Sequence, residues 1–238
     1  GALLACTSLL FVTIPNPKPG ETKTKLNLWQ DLREAQREVT SHKGMTLLFL
    51  LSILATLFIM PISVLFPLMT LNHFSGSAYQ MSLVEAIWSV GSLAGGLVLS
   101  LRQYKVNKIV LINSMYILLG ISFLFSGLLP PTAFVWFVIL TAIEGVSGSV
   151  YYASFMAVVQ TKVNPAVLGR VFSIFMSISM FPSMIGLMGT GFIADNIGIS
   201  NTFAIGGLVI CAIGIISFFI PSLFTVGRVT IKGKTRNI

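Results

Sequence analysis

The sequence predicts an all-α integral membrane protein: a bundle of six transmembrane helices, preceded by the end of another helix. Three observations lead there. Of 238 residues, 55% are hydrophobic and only 9% charged, with mean hydropathy +0.90; a soluble domain carries roughly a quarter charged residues to face water. The apolar residues collect into six runs, at 45–71, 80–101, 109–129, 133–158, 170–194 and 202–224, each near or above the ~20 residues a helix needs to cross hydrocarbon. The 15 lysines and arginines all lie at or outside the ends of these runs, and always on alternate sides.

The elements follow in order. Residues 1–14, "GALLACTSLLFVTI", are apolar but too short to span a bilayer. They also lack the initial methionine and basic region of a signal peptide. The expectation is the end of a truncated transmembrane helix. Residues 15–44 form a cytoplasmic linker. Its first part, "PNPKPGETKTK", is proline-rich and charged. Its second, "NLWQDLREAQREVTSHKG", reads as an amphipathic helix on the membrane surface. Asn27 and Gln30 have capping-box spacing, Leu28, Leu32, Ala35 and Val39 make one apolar stripe, and Lys43 and Gly44 suit its C-terminal end. Residues 45–224 hold the six spans. Residues 225–238 are a basic cytoplasmic tail. Helices are indicated over a β-barrel because no ~10-residue alternating segments occur.

Orientation comes from the basic residues. Lys18, Lys23, Lys25, Arg33, Arg37 and Lys43 precede the first full span. Arg102, Lys105 and Lys108 separate the second from the third, Lys162 and Arg170 the fourth from the fifth, and Arg228, Lys232, Lys234 and Arg236 follow the sixth. The intervening segments 72–79, 130–132 and 195–201 have none. By the positive-inside rule the basic segments and the C-terminus face the cytoplasm of a multi-pass cell-membrane protein. The net charge of +8 is therefore a topology signal, with lipid headgroups as a secondary partner, and no nucleic-acid partner is expected. The outer loops are short, so the spans are expected to pair as three hairpins.

Within the spans, small residues recur four apart: Gly91 and Gly95, Gly145 and Ser149, Gly207 and Cys211. Such faces let helices approach closely in lipid. Pro61, Pro67 and Pro182 should bend their helices. Met176, Met180, Met184 and Met188 form a ladder read first as core packing and second as a wall for apolar substrates. Trp88 and Trp136 suit an interfacial belt.

Seven acids exist. Glu21, Asp31, Glu34 and Glu38 belong to the cytoplasmic segment, and Asp195 marks an outer end. Glu144, in "ILTAIEGVSGS", is twelfth in its run and falls near the membrane centre. A charge there costs on the order of 3 kcal/mol, and no lysine, arginine or histidine lies at its depth. It is a candidate for proton coupling or substrate contact; the competing reading is a protonated structural glutamate bonded to small polar residues. Glu85, roughly 8 Å below the outer end of its span by helical rise, is the second candidate. No P-loop lysine motif occurs. His42, His73 and two distant cysteines make no metal site, and no enzyme or cofactor is expected.

Several stretches carry a resemblance. "DLREAQREVTSHKGMTLLFL", "QMSLVEAIWSVGSLAGGLVLS", "VQTKVNPAVLGRVFSI" and "GTGFIADNIG" together resemble the second half of a major facilitator superfamily transporter, most closely the macrolide-efflux-like branch of multidrug exporters. They resemble, in order, the entry to the seventh helix, the eighth helix with Glu85, the loop between helices ten and eleven with Pro165, Gly169 and Arg170, and the end of the eleventh helix. The resemblance implies the C-terminal half of a twelve-helix fold. It also implies proton-driven efflux of amphiphilic small molecules and an N-terminal six-helix half as partner. The family's inner-gate motif is only partly kept: "SLRQYKVNKI" retains Arg102, Lys105 and Lys108 without the aspartate and second glycine. Arg102, Gly169 and Arg170 are thus inner-gate or loop candidates. The alternatives are a non-transporting membrane scaffold or assembly subunit, and a solute importer of the same fold.

Overall fold

The computed structural model describes residues 28–41, 43–101 and 107–227. The expected helix end at 1–14, the linker to Asn27, Arg102, Lys105 and the tail from Arg228 lie outside the described residues. Eight α-helices follow one another: α1 (Leu28–Ser41), α2 (Lys43–Leu68), α3 (Ala78–Leu101), α4 (Lys108–Leu128), α5 (Phe134–Lys162), α6 (Leu168–Ile197), α7 (Ile199–Phe218) and α8 (Pro221–Gly227). A single π-helical turn, Met69–His73, prolongs α2. Helices α2 to α7 are each long and apolar enough to cross a membrane. Large side chains on their outer surfaces stand exposed, Phe181, Ile185 and Phe192 among them, as suits contact with hydrocarbon.

Helix starts are set locally. Ser77 and Gln80 form a reciprocal capping box on α3, with Ser77 N–H donating to Gln80 Oε1 (2.8 Å) and Gln80 N–H to Ser77 Oγ (3.4 Å), which satisfies two of the orphan donors of the first turn. Asn107 caps α4 by accepting from Ile109 N–H (3.0 Å), while its amide donates to Phe224 O (3.1 Å). At the opposite end His73 Nε2 donates to Leu129 O (2.8 Å) and its Nδ1 meets Ser200 Oγ (3.1 Å). One imidazole thereby ties three connections together.

The expected hairpins hold only in part. Helices α4 and α5 pack along each other, but α2 packs chiefly on α6 and α7, α3 on α5, and α4 on α7. Exchanging α2, α3, α4 for α5, α6, α7 maps this set of neighbours onto itself, as an inverted repeat of three helices would. The backbone glycines explain why loops do not choose the partners. A methyl on Gly91 would strike the Ala142 backbone, and one on Gly145 the Trp88 carbonyl, so α3 and α5 touch main chain to main chain. Gly120 and Gly207 do the same for α4 and α7. In lipid, where no hydrophobic effect drives helices together, such close approach selects neighbours. Between α2 and α6 a proline cooperates. Pro61 has no N–H for the Leu57 carbonyl, and Gly186 sits there, where an added methyl would be 2.7 Å from Leu57 O.

Two boundaries differ from expectation. The sixth span ends at Phe218, not at 224, and α8 begins at Pro221. Pro221 cannot donate to Ser217 O and its ring clashes with that carbonyl, so the chain turns at Phe219–Ile220 and restarts. Lys43 and Gly44 open α2 instead of closing α1. Gly44 is needed because α8 crosses there: a methyl would strike Ser222 O. Val39 packs on the core as expected; the side chains of Leu28, Leu32 and Ala35 lie outside the described residues.

Candidate functional site

The sequence "ILTAIEGVSGS" becomes the middle turns of α5. Gly145 and Ser149 press against α3, and this contact turns the neighbouring Glu144 into the bundle, where it is 1% exposed. Thr141 and Ser147 are buried beside it, yet their hydroxyls donate to their own helix, at Phe137 O (2.9 Å) and Ile143 O (2.7 Å). The partner comes from α4: Ser126 Oγ donates to Glu144 Oε1 at 3.2 Å. Oε2 is buried with no hydrogen-bond partner. Among the described residues no cation forms an ion pair with Glu144. The arrangement can hold a proton on Oε2 and presents an acceptor to a neutral or cationic group if the helices part.

Glu144 is ten residues into α5, about 15 Å by helical rise, and Ser126 is two residues from the end of α4, about 3 Å. From the start of α5 the carboxyl is thus about half of a ~30 Å hydrocarbon thickness away.

Glu85 is placed differently. It is exposed on α3, in a stripe with Ser82, Ser89, Gly96 and Ser100, all exposed, and half-buried Ser92. The spacing of three and four residues puts them on one helix face. A second exposed face carries Leu83, Val90 and Leu97, which suit lipid. The polar stripe suits water or another protein surface. Glu85 and Glu144 are thus on neighbouring helices, one open and one enclosed, and no hydrogen bond joins them.

The gate candidates also separate. Arg170 Nη1 makes a half-exposed ion pair with Glu34 Oε2 (2.7 Å), and Asn164 N–H donates to Glu38 Oε1 (3.2 Å). The two contacts fasten α1 to the start of α6 and to the α5–α6 connection. Gly169 has open space around it. The methionine ladder is not core: Met176, Met180, Met184 and Met188 are 48, 65, 55 and 82% exposed, because the buried face of α6 is taken by Val171, Gly186 and Thr190. Trp136 is exposed near the start of α5, as an interfacial residue would be, whereas Trp88 is exposed in the middle of α3, about 15 Å by helical rise from its start and too deep for the expected belt.

One cluster was missed in the sequence. Tyr116 of α4 donates to Ser52 Oγ of α2 (3.3 Å) and stacks on Tyr151 of α5, ring centroids 4.7 Å apart. One turn away on each helix, Asn113 Nδ2 and Ser154 Oγ are buried without partners. A buried asparagine in "LINSMYILL" was the available signal. Among the described residues no group of histidine, cysteine, aspartate and glutamate could hold a metal.

Residues 1–186 and 48–235 match the family model described as Major Facilitator Superfamily. The chain is 35% identical over 218 residues to macrolide efflux protein A of Streptococcus pyogenes, covering 91% of this chain and 53% of that protein. Against macrolide efflux protein A of Enterococcus faecalis it is 36% identical over 189 residues, 79% of this chain and 58% of that protein. Against multidrug efflux pump Tap of Mycobacterium tuberculosis it is 24% identical over 209 residues, 87% and 48%. The chain spans about half the length of the curated relatives it matches.

Proposed function

Because the chain belongs to the Major Facilitator Superfamily and is related to macrolide and multidrug efflux pumps, we propose that it is one six-helix half of a proton-coupled exporter of amphiphilic small molecules. A second six-helix unit completes it, and substrate binds between the two. Glu144 carries the coupling proton, and Glu85 contacts substrate or the water around it.

The observation that carries this reading is the Glu144 carboxyl, with one oxygen bound by Ser126 and the other unpartnered. Among the described residues α4 brings Ser126, α3 brings only the exposed Glu85, and the π-helical turn brings His73, whose ring nitrogens are taken by Leu129 O and Ser200 Oγ. A carboxyl without a cation at that depth needs a proton or a cationic ligand to be tolerated. The exposed α3 stripe and the methionine face of α6 supply what an amphiphile requires: polar contacts and an adaptable apolar surface. Rocking of the two halves about that space would then alternate access.

The test is flux in proteoliposomes holding the chain with its complementary six-helix unit. A fluorescent lipophilic cation should move against an imposed proton gradient, and collapse of the gradient should stop it. Flux in the same direction as the protons would indicate an importer, and no gradient-dependent flux a scaffold; either outcome defeats the proposal.

A further inference from the structure

Helix α1 roofs an apolar groove between α2 and α6, a space of about 220 Å³ lined below by Phe49, Ile53, Ile174 and Ile178 and above by Gln36 and Thr40. One water's share of liquid is ~30 Å³, so the groove takes several methylene groups. It opens past Leu50 and Ile178, 59 and 50% exposed. Along α6 the same side continues with exposed Phe181, Ile185 and Phe192, the wholly apolar strip, and not with the methionine ladder. The groove therefore faces hydrocarbon.

Gln36 and Thr40 also border a second, open hollow on the polar side, shared with Arg33, Arg37 and Glu34. These two arginines are one turn apart and point to the same hollow. Of the acids interleaved with them, Glu34 lines the hollow with its charge paired to Arg170, and Glu38 accepts from Asn164 N–H. Among the described residues neither Arg33 nor Arg37 makes an ion pair. A cationic rim thus stands directly over an apolar slot at one end of the bundle.

We propose that this two-part hollow binds one anionic phospholipid, with an acyl chain in the α2–α6 groove and the phosphate on Arg33 and Arg37. The proposal rests on the reading of the basic segments as cytoplasmic, which places the site in the inner leaflet, where anionic lipids attract such residues. The bound lipid glues α1 to the two helices it bridges.

Native mass spectrometry of the purified chain in detergent tests this without requiring orientation or transport, so its outcome is independent of the flux test. The chain is mixed with phosphatidylglycerol or phosphatidylcholine of identical acyl chains. About fivefold preference per arginine is expected, hence roughly 25-fold for phosphatidylglycerol. R33Q/R37Q should erase the preference while weak binding of both lipids persists. Ile178→Trp, which fills the slot, should lower binding of both. Inorganic phosphate in excess should leave the lipid bound. A preference that survives R33Q/R37Q overturns the headgroup assignment, and full competition by inorganic phosphate, or indifference to Ile178→Trp, overturns the lipid.

Discussion

Gly120→Ala should loosen the contact between α4 and α7, and the structure sets the size of the effect. A methyl on Gly120 would lie 2.7 Å from Gly207 O and 2.8 Å from Cys211 Cα, and closer still to Cys211 N. Unstrained contacts between carbon atoms begin near ~3.5 Å. All three obstacles are main chain, so no side chain can swing aside and the helices must separate by somewhat under ~1 Å. Such overpacking costs about 1–3 kcal/mol, and alanine's helix propensity returns about 0.5–1 kcal/mol of it. The net cost is at most about 2.5 kcal/mol, and at roughly 2–4 °C per kcal/mol for a chain of this size Tm should fall by a few degrees, up to roughly 10 °C. Gly96→Ala is the control, because no heavy atom lies within 4 Å of its added methyl; its Tm should stay level or rise slightly. The assay is thermal unfolding of the purified chain in detergent, followed by tryptophan fluorescence. Equal Tm values for the two variants would refute glycine-mediated helix selection.

Other perturbations have definite expectations. Ser126→Ala leaves both Glu144 oxygens without a donor and should cost about 1–3 kcal/mol, and a double-mutant cycle with Glu144→Gln should give a coupling of about 0.5–3 kcal/mol; an additive cycle would deny the pair. Tyr116→Phe removes the hydroxyl bonded to Ser52 and should cost about 0.5–1.5 kcal/mol in the same melts. Glu34→Gln breaks a half-exposed ion pair worth about 0–1 kcal/mol, so global stability should barely change while hydrogen exchange in α1 rises; unchanged exchange would mean that pair does not hold α1. A cysteine at Asn201 should react with an impermeant reagent from outside the cell and one at Ala166 should not; the opposite pattern would invert the topology.

The sequence made the six spans legible because charge exclusion and run length are properties of composition, and each apolar run holds one membrane-length helix, the sixth run also containing the start of α8. Helix neighbours were less legible. Gly91, Gly145 and Gly207 were recognisable as close-approach residues, but which backbone each meets depends on three-dimensional partners that spacing does not encode. The end of the sixth span was misplaced because Pro221 lies inside a continuous apolar stretch, where hydropathy outweighed a local backbone break. Glu144 stood out for its isolation, yet its enclosure against Ser126 follows from Gly145 and Ser149 docking on α3. The methionine ladder has the spacing of a core stripe, yet it is exposed because Val171, Gly186 and Thr190 take the buried face of α6.

The central claim is that Glu144 carries a proton that is exchanged in transport. Infrared difference spectroscopy of the membrane-reconstituted protein, with and without a bound lipophilic cation, tests it most directly. A band of a protonated carboxyl should change when the cation binds, be lost in Glu144→Gln and persist in Glu85→Gln. A difference spectrum unaltered by Glu144→Gln, or one lost in Glu85→Gln instead, would contradict it.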